Sequence, residues 1–273
     1  MPELAEVEFY RHQWDSGLGE RIAEVRTHPS ARIFRNCPAS TLRRDLAGRK
    51  MMSSHVHGKN WTFGFEDGKW LSGHLGMTGA LRSAEKDFMP SKHDHLILIA
   101  EETALIFSDP RMFGRIRLDK TGSANLLPQW WRKLPPQILS AGFTKKLVSE
   151  FAAKHGGTPI KTLLLDQRCF PGIGNWMADE ICWRMETAPG VLSGNLEQAE
   201  ISELWRSTRR VARQALQVIG RNWGNPPDSW LFPHRWKTGG RCPRKSCHGA
   251  EFRREKIRGR TTCWCPVCQA GGE

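Results

Sequence analysis

Four cysteines near the C-terminus constrain the fold of this chain more than any other feature. They form two close pairs, Cys242-x4-Cys247 and Cys265-x2-Cys268, separated by a segment of hairpin length. Two such pairs can supply the four thiolates of a tetrahedral zinc site. Cys263 could take the place of Cys265, and disulfides or unligated thiols are the alternative to a metal. We prefer Cys265, because two intervening residues are the commoner spacing, and we expect one structural zinc.

The segment between the two pairs is basic, as is the whole chain. Its cations are Arg253, Arg254, Lys256, Arg258 and Arg260. The 273 residues include 41 Lys and Arg against 28 Asp and Glu, which gives a formal net charge of +13. A soluble protein of this charge commonly has a polyanionic partner, so a basic finger favours contacts with a phosphate backbone. A solvated charged surface is the alternative.

The sequence predicts neither membrane insertion nor export. No apolar run approaches the roughly 18 residues of a membrane-spanning helix. The N-terminus has acidic residues where a signal peptide has a basic region. The isolated Cys37, Cys169 and Cys182 fit small core thiols in a reducing compartment. We therefore expect a cytoplasmic protein.

The hydrophobic pattern of the first half predicts mainly strands. Residues 1 to about 16 predict a helix, and from about 20 to 118 short apolar runs alternate with turn residues. Two hairpins are predicted, one over 61–65 and 70–72, the other over 96–100 and 104–107, with a further strand at 116–118. Short strands at this spacing favour a β-sandwich or barrel.

The second half has a helical pattern. Phe143, Leu147 and Phe151 would share one helical face, and Thr158-Pro159 would open the next helix as its N-cap and first residue. The remaining predictions are a linker marked by Pro128, Pro135 and Pro136, helices over about 175–184 and 197–219, and a loop over 221–240.

The first residues carry a candidate catalytic group. If Met1 is removed, Pro2 becomes an N-terminal secondary amine with an ordinary pKa of about 8. Its unprotonated fraction could attack an aldehyde-like carbon and form an iminium. Glu3 and Glu6 are candidate proton-transfer groups. Proline followed by glutamates is also ordinary helix-start sequence, so this stretch alone leaves both interpretations open.

Three kinds of glycine-flanked segment could contact nucleic acid. Loops 74–79 and 109–114 carry bulky side chains that could enter a base stack. Lys59 lies on a turn before a strand, and Gly172-Ile173-Gly174 precedes a helix whose N-terminus could bind phosphate. Loop packing and a plain surface lysine are the alternatives.

Together these motifs resemble the formamidopyrimidine-DNA glycosylase/endonuclease VIII family of DNA-repair enzymes. The resemblance covers essentially the whole chain. The family opens with Pro-Glu-Leu-Pro-Glu-Val-Glu, and this chain has Ala5 at the second proline. The other matches are the Lys59 turn, 74–79, 109–114, 171–180 and the finger ending at 260–269.

The resemblance implies an α+β multidomain fold. Residues 1–130 would form an N-terminal helix and β-sandwich, 131–232 a helix-two-turn-helix domain, and 233–273 a four-cysteine zinc finger. It also implies an activity, bifunctional DNA glycosylase and abasic-site lyase, on oxidised bases flipped out of duplex DNA. The partner would be double-stranded DNA with oxidised bases or abasic sites, and the protein a monomer.

Roles for single residues also follow from the resemblance. Pro2 would attack C1′ of the damaged nucleotide, Glu3 would protonate the opening sugar, and Glu6 would assist proton transfer. Lys59, counted with this catalytic group, would hold phosphates around the lesion together with Asn175 and Arg260. The space vacated by the flipped base would be filled by Met77, Arg111 and Phe113.

Two branches of the family differ in substrate. Met77 and the Arg111-x-Phe113 pattern are closer to the formamidopyrimidine branch, which removes oxidised purines. Ala5 and the short segment between Gly220 and Cys242 depart from that branch, so endonuclease VIII-like activity on oxidised pyrimidines is the alternative. A non-catalytic zinc-finger DNA-binding protein is a further alternative, although it would have no use for a free N-terminal proline.

Overall fold

The computed structural model describes residues 1–28, 31–236 and 238–270, and it divides into two compact units. The first unit is Met1–Leu134 and the second Pro135–Glu273. The division falls within the predicted linker, although that stretch also contains a short helix, α3 (Gln129–Arg132). No helix among the described residues is long and apolar enough to cross a membrane.

The first unit begins with helix α1 (Leu4–His12), which a capping box starts. The Glu3 carboxylate accepts a hydrogen bond from the Glu6 backbone, and Oε2 of Glu6 accepts the Glu3 N–H at 3.2 Å. These bonds satisfy two of the donors that a helix start leaves unpaired. The helix ends at His12 and not near residue 16 as predicted, because the chain turns there and buries Trp14 completely.

Eight strands form two four-stranded antiparallel sheets. The first has the order β1-β6-β7-β5 and the second β2-β3-β4-β8. The strands are β1 (Glu24–Thr27), β2 (Met51–His57), β3 (Asn60–Phe65), β4 (Lys69–His74), β5 (Ala80–Glu85), β6 (Asp94–Ile99), β7 (Thr103–Ser108) and β8 (Arg115–Lys120). A second helix, α2 (Ala39–Leu46), lies between β1 and β2.

Both predicted hairpins are confirmed. Strands β3 and β4 pair with Phe63 opposite Leu71, and β6 and β7 pair with Leu98 opposite Leu105. The first hairpin turns through Asp67 and Gly68, both with positive φ.

One hydrophobic core joins the two sheets, which makes the unit a β-sandwich as expected. Alternate residues of β3, β6 and β7 enter the core, as period-two patterning predicts. Two tryptophans, Trp14 and Trp61, are fully buried in this core. Buried Trp14 packs on Trp61 and Phe63, and its indole N–H donates to the carbonyls of Arg82 and Ile106 at 3.2 Å each.

Among its described residues, the second unit contains four α-helices and a hairpin. They are α4 (Lys145–Lys154), α5 (Ile160–Leu164), α6 (Asn175–Arg184), α7 (Gln198–Ala215), β9 (Arg253–Ile257) and β10 (Arg260–Trp264). Helix α6 lies at the centre of the unit, with every residue from Trp176 to Trp183 buried. Helix α7 is followed by a π-helical turn, Leu216–Gly220, and the helical conformation continues through 221–222, two residues beyond the predicted end at Gly220.

Two details of the predicted helices were wrong. The hydroxyl of Thr144 accepts the Leu147 N–H at 3.1 Å, so α4 begins after Phe143. Its buried face is therefore Val148 and Ala152. Pro159 is the N-cap of α5 and not its first residue.

The basic segment between the cysteine pairs forms the expected hairpin. Arg258 and Gly259 connect β9 to β10, and both have positive φ (47° and 77°), as a tight two-residue hairpin turn requires. Leu231 and Phe252 pack with Trp183 of α6 and with the cysteines. A separate finger domain beginning at residue 233 stays a prediction.

Candidate functional site

The N-terminus of the first unit is held in place by α1. Glu3 is only 2% exposed, so the capping box fixes a carboxylate below the surface. Pro2, next to it, is half-buried, and Met1 is exposed. With Met1 in place the Pro2 nitrogen is an amide, so a free amine at this position requires removal of Met1.

Lys59 and His74 lie close together, where β3 begins and β4 ends. Lys59 follows Gly58 in the turn between β2 and β3 and is buried rather than on an exposed tip. His74 ends β4, opposite Asn60. Burial and, after it, the positive charges of Lys59 and Arg115 lower the pKa of His74 to about 4. Its Nδ1 accepts the Gly76 N–H at 2.9 Å, so the proton of the neutral ring is on Nε2.

An open cavity of about 690 Å³ lies next to these residues. Met1, His74, Met77 and Phe113 border it. Met77 and Phe113 are each 46% exposed, so two large apolar side chains are open to solvent at the edge of this cavity. The lining of the cavity is also basic and includes Arg32, Arg35, Arg115 and Arg117.

The two glycine-flanked loops are packed backbone against backbone. A Cβ on Gly76, whose φ is 65°, would lie 2.5 Å from the carbonyl carbon of Phe113. Asp109 is fully buried and joins the loops, since its carboxylate accepts the Thr78 hydroxyl at 2.6 Å and the Gly114 N–H at 2.7 Å. The Met77 and Phe113 side chains therefore extend from a rigid base.

Arg111 lies over the ring of Phe113. Its guanidinium carbon is 4.8 Å from the ring centroid. The family resemblance groups these two residues with Met77. The structure brings Met77 and Phe113 to the same cavity, whereas Arg111 is not among the residues that line it.

In the second unit, Asn175 and Arg260 belong to two segments that are joined directly. Asn175 is the first residue of α6, and its Nδ2 donates to the carbonyl of Thr261 at 2.8 Å. Thr261 follows Arg260 at the start of β10, and Arg260 is exposed. The amide of Asn175 and the guanidinium of Arg260 therefore belong to one surface of the unit.

The four cysteines of the two pairs converge. Their sulfur atoms all lie within 4.8 Å of one another, and Cys242, Cys247 and Cys265 are buried. The Trp183 indole donates to the Cys242 sulfur at 3.4 Å. Cys263 lies outside the group, and burial raises the pKa of its thiol to about 11.

Comparison with known proteins identifies the family. Residues 1–116 match the model of the formamidopyrimidine-DNA glycosylase N-terminal domain, and residues 134–223 match the H2TH domain of the same enzyme. The chain belongs to the formamidopyrimidine-DNA glycosylase family. The formamidopyrimidine-DNA glycosylase of Thermus thermophilus is 33% identical over the full length of both chains.

Solved structures of the Lactococcus lactis member have the same fold. Its complex with DNA containing an abasic site superposes with a TM-score of 0.84 at 30% identity, covering 98% of this chain and 99% of that one. The TM-score is 0.86 for its complex with an oxidised pyrimidine and 0.85 for its complex with Fapy-dG. The expected family and fold class are therefore confirmed.

Sequence reasoning missed two residues of the candidate site in this chain. His74 was noted only as the start of a loop, and Asp109 only as part of another. The sequence signal that could have identified His74 is a polar residue at the end of a strand, directly before the Leu75-Gly76 turn. For Asp109 a local signal was present in Asp-Pro, a common turn start, but the bond to Thr78 joins residues 31 positions apart.

Proposed function

We propose that this chain is a bifunctional DNA glycosylase and abasic-site lyase that removes oxidised bases from duplex DNA. Membership of the family supports the reaction class, since its members are DNA N-glycosylases and abasic-site lyases of base excision repair. One observation supports it for this chain in particular. The N-terminal residue, Met77 and Phe113 border the same cavity.

In the proposed reaction, Pro2 is the nucleophile once Met1 has been removed. Its secondary amine forms a bond to C1′ of the damaged nucleotide as the bond from C1′ to the base breaks. Glu3, whose carboxyl is buried beside Pro2, donates a proton to the sugar ring oxygen, and the opened sugar carries an iminium at C1′. Glu6, which holds the Glu3 amide, assists proton transfer.

Strand cleavage follows from the same intermediate. Loss of a proton from C2′ lets the C3′–O bond break, and the 3′ phosphate leaves by β-elimination. Water then releases the sugar and restores the amine. Base excision and strand cleavage are therefore linked through one covalent bond to residue 2.

Met77, Arg111 and Phe113 are proposed to occupy the gap left by the flipped base. Flipping costs a few kcal/mol of unpairing and unstacking, which an inserted side chain partly offsets. The exposure of Met77 and Phe113 on loops that Asp109 holds rigid supports this role.

Contacts with the DNA backbone are proposed for Lys59, Asn175 and Arg260. The net charge of +13 and the basic hairpin that carries Arg260 support a polyanionic partner. The hydrogen bond from the Asn175 side chain to the Thr261 carbonyl places the Asn175 amide beside the strand that begins with Arg260. One chain carries every proposed group, so we propose that the protein acts as a monomer, in the cytoplasm.

The cysteine group is proposed to bind one structural zinc. Four thiols this close together fit tetrahedral coordination, and four protein ligands leave no position for a reacting group. Cys242, Cys247, Cys265 and Cys268 would be the ligands. Zinc there would stabilise the fold around β9 and β10.

Oxidised purines are the proposed preferred substrates, on the pattern of Met77 and Arg111-x-Phe113. Oxidised pyrimidines are the second candidate, which the short segment between Gly220 and Cys242 favours. Excision rates on duplexes that each carry one oxidised base would rank the two classes.

Covalent trapping tests the reaction itself. Borohydride should reduce the iminium and join the protein to a lesion-containing duplex, and peptide mapping should find the DNA on Pro2. Glu3→Gln should lose base excision but keep DNA binding. Protein that retains Met1 is the matched control and should give no adduct. A cross-link at Lys59, or full activity with a blocked N-terminus, would contradict the proposal.

A further inference from the structure

Three buried charges meet in the second unit. Asp179 of α6 is 1% exposed, and it forms ion pairs with Lys161 of α5 and with Arg235, which are 0% and 5% exposed. None of the assigned catalytic or metal-binding residues belongs to this group. Removing three charges from water costs several kcal/mol each, and apolar side chains could pack the same space at lower cost. A group of this kind requires a reason other than packing.

The two oxygens of Asp179 connect to different segments. Oδ1 accepts from Lys161, whose Nζ also donates to the backbone carbonyl of Asn175 at 2.6 Å. Oδ2 accepts from the side chain of Arg235 and, at 3.3 Å, from the N–H of Cys263 in β10. One carboxylate thus holds the first residue of α6 and the strand that begins at Arg260.

Further contacts reinforce the same arrangement. The backbone carbonyl of Arg235 accepts from the side chain of Arg254, and Arg254 pairs with Cys263 across the hairpin. The Oδ1 of Asn175 is buried and has no hydrogen-bond partner among the described residues. The Asn175 amide is therefore oriented through its Nδ2 bond to Thr261, and that bond depends on where β10 lies.

We propose that Asp179 is a positioning residue for phosphate recognition. It fixes β10 against the start of α6, so that the Asn175 amide and the Arg260 guanidinium are spaced to bind the backbone of the damaged strand together. Asp179 is too deeply buried to touch DNA, so it acts through these two residues. The inference rests on the proposed function, specifically on phosphate contacts by Asn175 and Arg260.

The test measures binding to a duplex with a tetrahydrofuran abasic-site analogue as salt is varied. Asp179→Asn keeps the shape of the side chain and removes its charge. It should weaken binding and lower the salt slope by roughly 0.9, the value of one lost phosphate contact on duplex DNA. Glu180→Gln is the matched control. Glu180 is a fully buried carboxylate on the same helix whose partners are Arg184 and the Phe232 N–H, so the salt slope should stay unchanged.

A double-mutant cycle separates positioning from a general loss of stability. Asp179→Asn should add little to Arg260→Ala, because both remove the same contact. It should add fully to Lys59→Ala, which changes the first unit. Full additivity with Arg260→Ala, or an unchanged salt slope in folded Asp179→Asn, would overturn the inference.

A second variant covers the case in which Asp179→Asn does not fold. Replacing the whole group, Asp179→Leu with Lys161→Met and Arg235→Met, leaves no unpaired buried charge and should preserve folding. This variant should still bind the analogue more weakly than the wild type, and binding equal to the wild type would refute the inference. The proposed function has a separate test, since wild-type protein that neither binds nor cleaves the lesion duplex would contradict that function itself.

Discussion

At the scale of single residues, His74 shows how burial and neighbouring charges determine the protonation of a side chain that lines the cavity. Burial and two nearby cations hold its pKa at about 4, whereas an exposed histidine has a pKa of about 6.5. The ring is therefore neutral at physiological pH. It accepts the Gly76 N–H at the base of the loop that carries Met77.

This pKa predicts a pH-dependent stability. Between about pH 6.5 and pH 4 the unfolded chain binds a proton at residue 74 that the folded chain does not, so the free energy of unfolding falls as the pH falls through this window. His74→Asn keeps an acceptor for Gly76 and should lose less stability over the same window. Denaturant unfolding at several pH values measures the difference. His12→Asn, which removes an exposed histidine of α1, should retain the loss seen in the wild type. If the free energy of unfolding falls equally over this pH window in the wild type and in His74→Asn, the loss does not come from the lowered pKa of His74.

Met77 and Phe113 give a second prediction at this scale. If they fill the space of the flipped base, Phe113→Ala or Met77→Ala should slow excision from duplex DNA much more than cleavage at a pre-formed abasic site, because the latter requires no base to be unpaired. Single-turnover rates on the two substrates give the comparison. Met89→Ala is the control, since Met89 is 89% exposed and does not border the cavity. Equal loss on both substrates would exclude a role in flipping.

At the scale of elements, the β9–β10 hairpin depends on the cysteine group beside it. Such a small two-stranded element is marginally stable alone, and a bound zinc contributes its binding free energy to folding. Cys265→Ser should therefore lose the metal, expose the hairpin amides to hydrogen exchange and weaken DNA binding.

Cys263→Ser is the matched comparison. Cys263 lies only two residues away but outside the sulfur group, so this variant should keep one zinc per chain by elemental analysis. Metal loss in Cys263→Ser together with metal retention in Cys265→Ser would show that Cys263, and not Cys265, is the ligand. Removal of zinc by a chelator should reproduce the effects of Cys265→Ser.

At the scale of the whole molecule, the excess of 13 positive charges predicts binding that weakens steeply with salt. Lys59→Ala or Arg260→Ala should each lower the slope of log affinity against log salt by roughly 0.9, and by similar amounts on different DNA sequences, because phosphates carry no sequence information. Lys86→Ala is a control of equal charge, since Lys86 is paired with Glu102 at 2.7 Å. A slope unchanged by either substitution would count against a direct contact.

The amino-acid sequence alone determined the features that depend on near neighbours. Short apolar runs separated by turn residues specified both hairpins, and the spacing of the cysteine pairs specified a four-thiolate group, because each signal lies within a few residues of the atoms that it places. The family resemblance rested on local motifs for the same reason, and it supplied the gap-filling trio that no local argument could.

The tertiary structure decided what depends on contacts between distant segments. Cys263 belongs beside Asp179, 84 positions away, and this contact leaves Cys265 as the cysteine that meets the other three. The sequence left open whether Lys59 contacts phosphate or is a plain surface residue, and the fold buries Lys59 and brings the half-buried His74 close to it. The ends of α1 and α4 were set by Trp14 entering the core and by the Thr144 cap. Burial, the field of neighbouring charges and the coupling of segments arise only when the chain is packed, so periodicity and spacing do not contain them.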